Sequence, residues 1–207
     1  MKISVSFLKN KTGIEDTLRK IDATDADYIH VDIMDGKFVP EKGMNEYEFF
    51  DCLKDIKKPL DIHLMVENPL NYIMVLKDLH PEFIIIHSEI KDFDVFLDLI
   101  HSYGIKAGIA LKPETRVGNV KYLDKADYVL VLGVNPGKGG QKMIMDTVSK
   151  LEVLQQLKHE KNYNYVVSFD GGVNLDTRGY LNSSDILVSG SFICMSDDFQ
   201  KSIDALK

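Results

Sequence analysis

No run of about 18 apolar residues occurs in the 207-residue chain, so nothing in it has the length to cross a bilayer as a helix. It also lacks a Pro/Gly/Ser-rich linker and any low-complexity tract, and one domain over residues 1–207 accounts for the composition. Basic residues do not dominate: 25 Lys and Arg stand against 32 Asp and Glu, giving a net charge of −7. With the two signs interspersed there is no broad positive footprint for nucleic acid, although a small anion can still bind locally through backbone donors and a metal. Cysteine is scarce. Cys52 and Cys194 have no CxxC spacing and read as ordinary reduced residues rather than a redox pair. The opening Met1-Lys2-Ile3-Ser4-Val5-Ser6-Phe7 is too short in apolar character for a signal peptide, and the expected location is the cytoplasm. Neither GxxxxGK[ST] nor GxGxxG after a first strand is present, which removes the common nucleotide-binding loops.

What the chain does have is a repeating unit of strand and helix. Runs rich in β-branched residues predict strands at Ile3 to Leu8, Tyr28 to Ile33, Leu60 to Met65, Phe83 to His87, Lys106 to Leu111, Tyr128 to Leu132, Tyr165 to Phe169 and Ile186 to Ser189. Between several of them lie apolar residues at helical spacing, as in Ile14-Leu18-Ile21, Phe93-Phe96-Leu97-Ile100 and Val148-Leu151-Leu154-Leu157. Such alternation predicts parallel strands joined by crossover helices. The continuous apolar runs at 83–86 and 128–132 suit strands covered on both faces. An open doubly wound sheet is the alternative, but eight short units of even length favour an α/β fold closed as a (β/α)8 TIM barrel.

Polar residues gather where these strands end. Ser6, His30, Asp32, His63, His87, Glu89, Lys112, Asn135, Asp170, Gly190 and Ser191 all fall at or just beyond a predicted C-terminal strand end, which loads one rim of a barrel with chemistry. His30 and Asp32, two apart on a strand, share a face. Alone they read as a hydrogen-bonded pair; with His63 and Asp170 they become a candidate cage for one divalent ion, Zn²⁺ first, with Fe²⁺, Mn²⁺ or Co²⁺ as alternatives. Asp32 and Asp170 are also candidates for paired acid and base, because two carboxylates can flank one carbon. Val134-Asn135-Pro136-Gly137-Lys138-Gly139-Gly140-Gln141, Asp170-Gly171-Gly172 and Ser189-Gly190-Ser191 permit close backbone approach to a phosphate. Any one of the three alone is an ordinary glycine turn. Met34 and Met65 follow the ligand-bearing strand residues; core filling is the usual role, and lining the pocket is the alternative. His87 and Glu89 read as groups that orient neighbouring ligands or as surface hydrogen-bonding groups, the latter preferred.

His30 through Pro40, Asp61 through Val66, Val134-Asn135-Pro136-Gly137 with Gly139-Gly140-Gln141, and Asp170-Gly171-Gly172 together closely resemble the signatures of the ribulose-phosphate 3-epimerase family. The resemblance covers essentially the whole chain, including Ser6, Ala110 to Thr115 and Val188 to Ser191. It implies a ribulose-phosphate-binding barrel that interconverts D-ribulose 5-phosphate and D-xylulose 5-phosphate, with two-aspartate proton transfer at C3 through an enediolate. By position, it implies His30, Asp32, His63 and Asp170 as metal ligands and Asp32 and Asp170 as the acid/base pair. It further implies Ser6, His63, Gly137, Lys138, Gly139, Gly140, Gly171, Gly172, Gly190 and Ser191 as contacts to a phosphorylated ketose, and a homo-oligomer as the assembly. Epimerisation of a related ketose phosphate such as allulose 6-phosphate, or a non-catalytic sugar-phosphate-binding barrel, are the alternatives. Departures from the pattern lie at Lys9-Asn10-Lys11, Lys37, Glu41 to Asn45, Leu132-Gly133 and Lys138. The Asp-x-Lys-x-x-Asp constellation of related sugar-phosphate synthases and decarboxylases is not found, since Ile33 and Met34 follow Asp32.

Overall fold

The computed structural model describes all 207 residues. Eight parallel strands, β1 (Lys2–Ser6), β2 (Tyr28–Met34), β3 (Leu60–Met65), β4 (Phe83–His87), β5 (Lys106–Leu111), β6 (Tyr128–Leu132), β7 (Val166–Asp170) and β8 (Ile186–Ser189), close into a barrel in sequence order. The seam pairs β1 with β8 over four positions, from Lys2 opposite Ile186 to Val5 opposite Ser189. Outside lie α1 (Ile14–Asp22), α2 (Glu46–Leu53), α3 (Leu70–Leu76), α4 (Phe93–Ser102), α5 (Ser149–Lys161), α6 (Ser191–Cys194) and α7 (Phe199–Asp204).

Successive strand side chains point to opposite faces, and here both faces are buried. Outward residues such as Ile29, Val31, Ile62, Leu64, Ile84 and Ile86 meet the apolar stripes of the helices in one large core. Inward residues Tyr28, Phe83, Ile85, Ala110, Tyr128, Leu130, Ile186 and Val188 fill the barrel itself. This double burial explains why the strands read as unbroken apolar runs. Toward the C-terminal rim the inward positions turn polar, with buried Ser4, His30, Asp61 and Ser168 giving way to Ser6, His63 and His87. The chemistry therefore stands on strands, on a floor of packed apolar side chains.

Local signals set the ends of the elements. The α2 N-terminus is a capping box in which Asn45 Oδ1 accepts from the Tyr47 and Glu48 amides and the Glu48 carboxylate accepts from Asn45 N–H. β1 stops at Ser6 rather than Leu8, because Leu8 is exposed at 37 % and its amide turns back to Ser6 Oγ. β7 starts one residue later than expected and takes Asp170 into the strand. After β5 and β7 the crossovers are made by short 3-10 turns instead of helices, at Val117–Asn119, Leu123–Lys125 and Arg178–Tyr180.

Candidate active site

Strand register brings the expected residues together. Asp32 stands opposite His63, and His30 opposite Asp61, across the β2–β3 pair. Asp170 ends β7 next to Leu132 of β6. Closure of the barrel then sets one donor atom each from His30, Asp32, His63 and Asp170 within 4.8 Å of one another. Asp32 Oδ1 lies 3.3 Å from His30 Nε2 and 3.2 Å from His63 Nδ1, while Asp32 Oδ2 accepts from the Ser6 hydroxyl at 2.7 Å. His30 Nδ1 lies 3.1 Å from Asp61 Oδ2, which also accepts from the Tyr128 hydroxyl at 2.9 Å. Both His30 nitrogens are fully buried near carboxylates, yet neither is aligned for a hydrogen bond.

Three carboxylates thus converge in a poorly hydrated place, and their titration reflects it. Burial alone would raise Asp32, but the charge of His30, with the hydrogen bond and charge of His63, holds it far below the usual carboxylate range. Burial, then the charge of Asp32, pushes Asp170 up to about 7. Against burial, the charges of Asp61 and Asp32 raise His30 well above an ordinary imidazole. Two nitrogens and two oxygens around a surplus of negative charge suit a divalent cation of the Zn²⁺, Fe²⁺, Mn²⁺ or Co²⁺ type. The loosely held His30 nitrogens fit the same conclusion, since a ring saturated by good hydrogen bonds would have no lone pair to offer.

Behind His63 runs a second line of polar groups. His63 Nε2 meets His87 Nε2 at 2.9 Å, and His87 Nδ1 meets Glu89 Oε2 at 3.0 Å. Glu89 Oε1 in turn accepts from the Lys112 amide at 3.1 Å and from the Thr115 hydroxyl. His87 is fully buried under the Phe38 ring, with centroids 4.5 Å apart, so the preferred surface reading of this residue is wrong. Burial pushes the His87 imidazole down to about 4. Glu89 falls to about 2 because His87, Thr115 and the Lys112 amide outweigh its own burial.

A cleft opens above the four-residue cluster. Ser6, Asp32, His63, Met65 and Asp170 form part of its wall, with Gly137, Lys138, Gly139 and Gly140 on one side and Gly171, Gly172, Gly190 and Ser191 on another. Gly171 and Gly172 sit at φ +111 and +71, and a Cβ on either would come within 2.6 Å of Val134 Cγ2 or 2.7 Å of the Met143 amide. Only glycine allows the backbone to wrap this closely. Gln141 Nε2 donates to the carbonyls of Asn135 and Lys138, fixing the other glycine turn. Lys138 Nζ is taken by Glu41 at 3.1 Å, so the loop after β2 reaches across to the turn. His30 lies beneath the cleft, and Met34 faces a separate apolar cavity on the other side of Asp32, with Phe7, Met44 and Phe49.

Two further residues belong to this region and were not singled out by the sequence. Asp61, fully buried, backs His30; the two-residue spacing to His63 places it on the same inward face. Lys9 enters the cleft, its methylenes against Gly139 and its Nζ over Gly140. Its position coincides with one of the departures from the family pattern, which was the available signal.

The comparisons agree with this geometry. The model of the ribulose-phosphate 3 epimerase family matches residues 2–194. A ribulose-phosphate 3-epimerase of Helicobacter pylori is 37% identical over 188 residues, covering 89% of this chain and 87% of that protein. One of Bacillus subtilis is 30% identical over 214 residues, covering 100% and 98%. Among solved structures, KGPDC from Streptococcus mutans superposes with a TM-score of 0.70 at 11% identity, covering 99% of this chain and 94% of that one. The 3-hexulose-6-phosphate synthase from Salmonella typhimurium gives 0.66 at 15% identity, covering 100% and 96%. Those two share the barrel and no more. Family model, full-length relatives and a strand-borne His/Asp cluster in a closed barrel converge, and the chain belongs to the ribulose-phosphate 3 epimerase family.

Proposed function

We propose that this chain interconverts D-ribulose 5-phosphate and D-xylulose 5-phosphate by moving a proton at C3, with Asp32 and Asp170 as acid and base and a divalent ion held by His30, Asp32, His63 and Asp170. The observation that carries the reading is the meeting of these four donors within 4.8 Å at the foot of a cleft walled by glycine turns. Epimerisation removes a proton from one face of a carbon beside a carbonyl and returns one to the other face, so it needs two titratable groups on opposite sides of that carbon. Asp32 from β2 and Asp170 from β7 are the two carboxylates that reach the cleft from different strands. A cation at the cluster, Zn²⁺ first by its mixed nitrogen and oxygen donors, would supply Lewis-acid stabilisation of the charge that develops on the sugar oxygens.

The other side chains bind and orient. Ser6 donates to Asp32 and keeps that carboxylate turned into the cleft. Backbone at Gly139, Gly140, Gly171, Gly172, Gly190 and Ser191, with Gly137 and Lys138 beside them, offers the close approach that a phosphate needs. Met65 with Leu132 and Val188 lines the wall between phosphate end and reacting end and limits water near the exchanging carbon. A homo-oligomer completes the proposal.

Solvent deuterium incorporation at C3 of ribulose 5-phosphate tests it, in the wild type, in Asp32→Asn and in Asp170→Asn, with and without chelator. General acid–base groups are worth about 10²- to 10⁴-fold, so each variant should lose at least that much of the exchange, and chelation should suppress it. Exchange at the wild-type rate in either variant removes that aspartate from the mechanism. Binding of the sugar phosphate with no exchange in the wild type would favour the non-catalytic barrel. Faster turnover of allulose 6-phosphate would favour the related epimerase.

A further inference from the structure

We propose that Lys9 determines the preference for a phosphorylated sugar, its ammonium serving at the Gly139-Gly140 turn as the counter-charge to the phosphate. The proposal deepens the reading above and takes its phosphorylated substrate from it; the placement of the ammonium stands without it.

The turn after β1 puts the lysine there. Asn10 pins that turn from both sides, its Nδ2 donating to the Phe7 carbonyl at 3.0 Å and its Oδ1 accepting from the Gly13 amide at 2.9 Å. Lys9 immediately precedes this clamp, and its stem lies along the turn after β6. A Cβ on Gly139 would stand 3.3 Å from Lys9 Cβ, and one on Gly140 would stand 3.3 Å from Lys9 Cδ and 2.7 Å from Nζ. The space that two side chains would fill is the space the lysine occupies. Its ammonium thus rests over bare backbone at Gly140, where φ is +76.

Charge pairing singles this residue out. Two lysines stand in the cleft wall, Lys9 and Lys138. Lys138 Nζ is held by Glu41 Oε1 at 3.1 Å, while the other oxygen of Glu41 packs over Gly137. Lys11, two residues on from Lys9, is turned away to Asp197 at 3.3 Å. Lys9 has no carboxylate partner and is the free cation of the wall.

The same wall carries Asp32 and Asp170. A phosphate brought into a cleft with two acids needs a full positive charge at its own end, because backbone amides offer only partial ones. Lysine suits the task, as a compact charge with three donors on a flexible stem. An unphosphorylated ketose gains nothing from it, and specificity is a difference of affinities. Positions 9, 41 and 138 all depart from the family pattern, and the fold brings them to one turn.

Equilibrium dialysis of the full-length protein against ³²P-labelled inorganic phosphate at low salt tests the anion end apart from the chemistry. Lys9 is exposed, so replacing it leaves the core intact. Loss of one charge-assisted hydrogen bond should weaken phosphate binding about tenfold in Lys9→Met. Lys9→Arg and Lys138→Met should stay within about threefold of wild type, the first keeping the charge and the second removing one already paired. Wild-type affinity in Lys9→Met, or an equal loss in Lys138→Met, overturns the proposal. C3 deuterium exchange on D-ribulose 5-phosphate, run on the same protein, separates this outcome from the reading it rests on. Exchange at C3 without phosphate binding overturns the role of Lys9 and spares the epimerase. Phosphate bound through Lys9 with no exchange keeps the anion site and removes the epimerase.

Discussion

Lowering the pH should cost the metal-free protein stability through His87, while Asp170, pushed up to about 7, acts in the opposite sense over the same window by keeping a proton that the unfolded chain releases. In the unfolded chain this imidazole titrates at the ordinary 6.5, while burial in the barrel pushes it down to about 4. Between those two values the unfolded state takes up a proton that the native state refuses, so stability is whole above pH 6.5 and is lost as the pH falls toward 4. At about 1.4 kcal/mol for each pH unit, this one group removes about 3 kcal/mol over that window. That is a large part of the 5–15 kcal/mol that holds a typical domain together. Urea unfolding followed by circular dichroism, in chelator and at steps from pH 7.5 to 4.5, measures it. Glu89, lowered to about 2, contributes in the same sense only below its ordinary 4.5 and stays out of the measured range. His87→Gln has no proton to take up and shares the Asp170 contribution with the wild type, so the difference between the two isolates His87: the variant should gain about 3 kcal/mol on the wild type as the pH falls through the window. If wild type and His87→Gln lose stability in parallel, the depression of His87 is not real and the buried imidazole has found a proton in the native state.

Three other outcomes follow from the same geometry. Below neutral pH, Asp170 (about 7) and the raised His30 both hold protons that a cation must displace, so Zn²⁺ affinity should climb at least tenfold per pH unit between 5 and 7. Calorimetry in buffers of different ionisation enthalpy should register at least half a proton released near pH 7, and none released would sink the assignment. Lys9→Met removes a cation from the glycine-walled cleft and should raise KM for the phosphorylated ketose about tenfold, as one charge-assisted hydrogen bond predicts, with kcat within twofold. An unchanged KM places that ammonium outside the bound sugar. Gly171→Ala forces a side chain into left-handed backbone 2.6 Å from Val134, and should lower the free energy of unfolding by about 2 kcal/mol; a loss under about 0.5 kcal/mol would mean the turn is free to re-form.

How much of this could be read from the chain alone depends on whether the controlling contact is local. Leu60–Met65, Phe83–His87, Lys106–Leu111, Tyr128–Leu132 and Ile186–Ser189 are strands at the residues expected, because double burial writes an unbroken apolar run with polar residues at one end. β1 was drawn too long because Phe7 and Leu8 continue the apolar run while the backbone has already left the sheet. That Asp32, His63 and Asp170 would share a rim followed from each standing at a strand end; that their donor atoms lie within 4.8 Å of one another needed the barrel to close. His87 shows the limit best. Its parity with Phe83 and Ile85 already pointed it inward, but its partner is His63, and no local pattern gives the β3–β4 register that sets one imidazole on the other. Lys9 and the Lys138–Glu41 pair lie on loops, where spacing says little about direction.

The seam between β1 and β8 has a consequence for the order in which this molecule becomes competent. Ser6 comes from the first strand and Gly190 and Ser191 from just past the last, and they meet so closely that a Cβ on Gly190 would stand 3.0 Å from the Ser6 carbonyl oxygen. Cys194 Sγ, farther along, donates to that same carbonyl at 3.4 Å. The proposed anion cradle is thus built from the first and last strands of the barrel. A chain cut after Asp170 would carry all four residues of the His/Asp cluster and still lack this part of the proposed cradle. On the proposed function, ligand capture would report that the chain through residue 191 is in place and that the cylinder has been zipped shut.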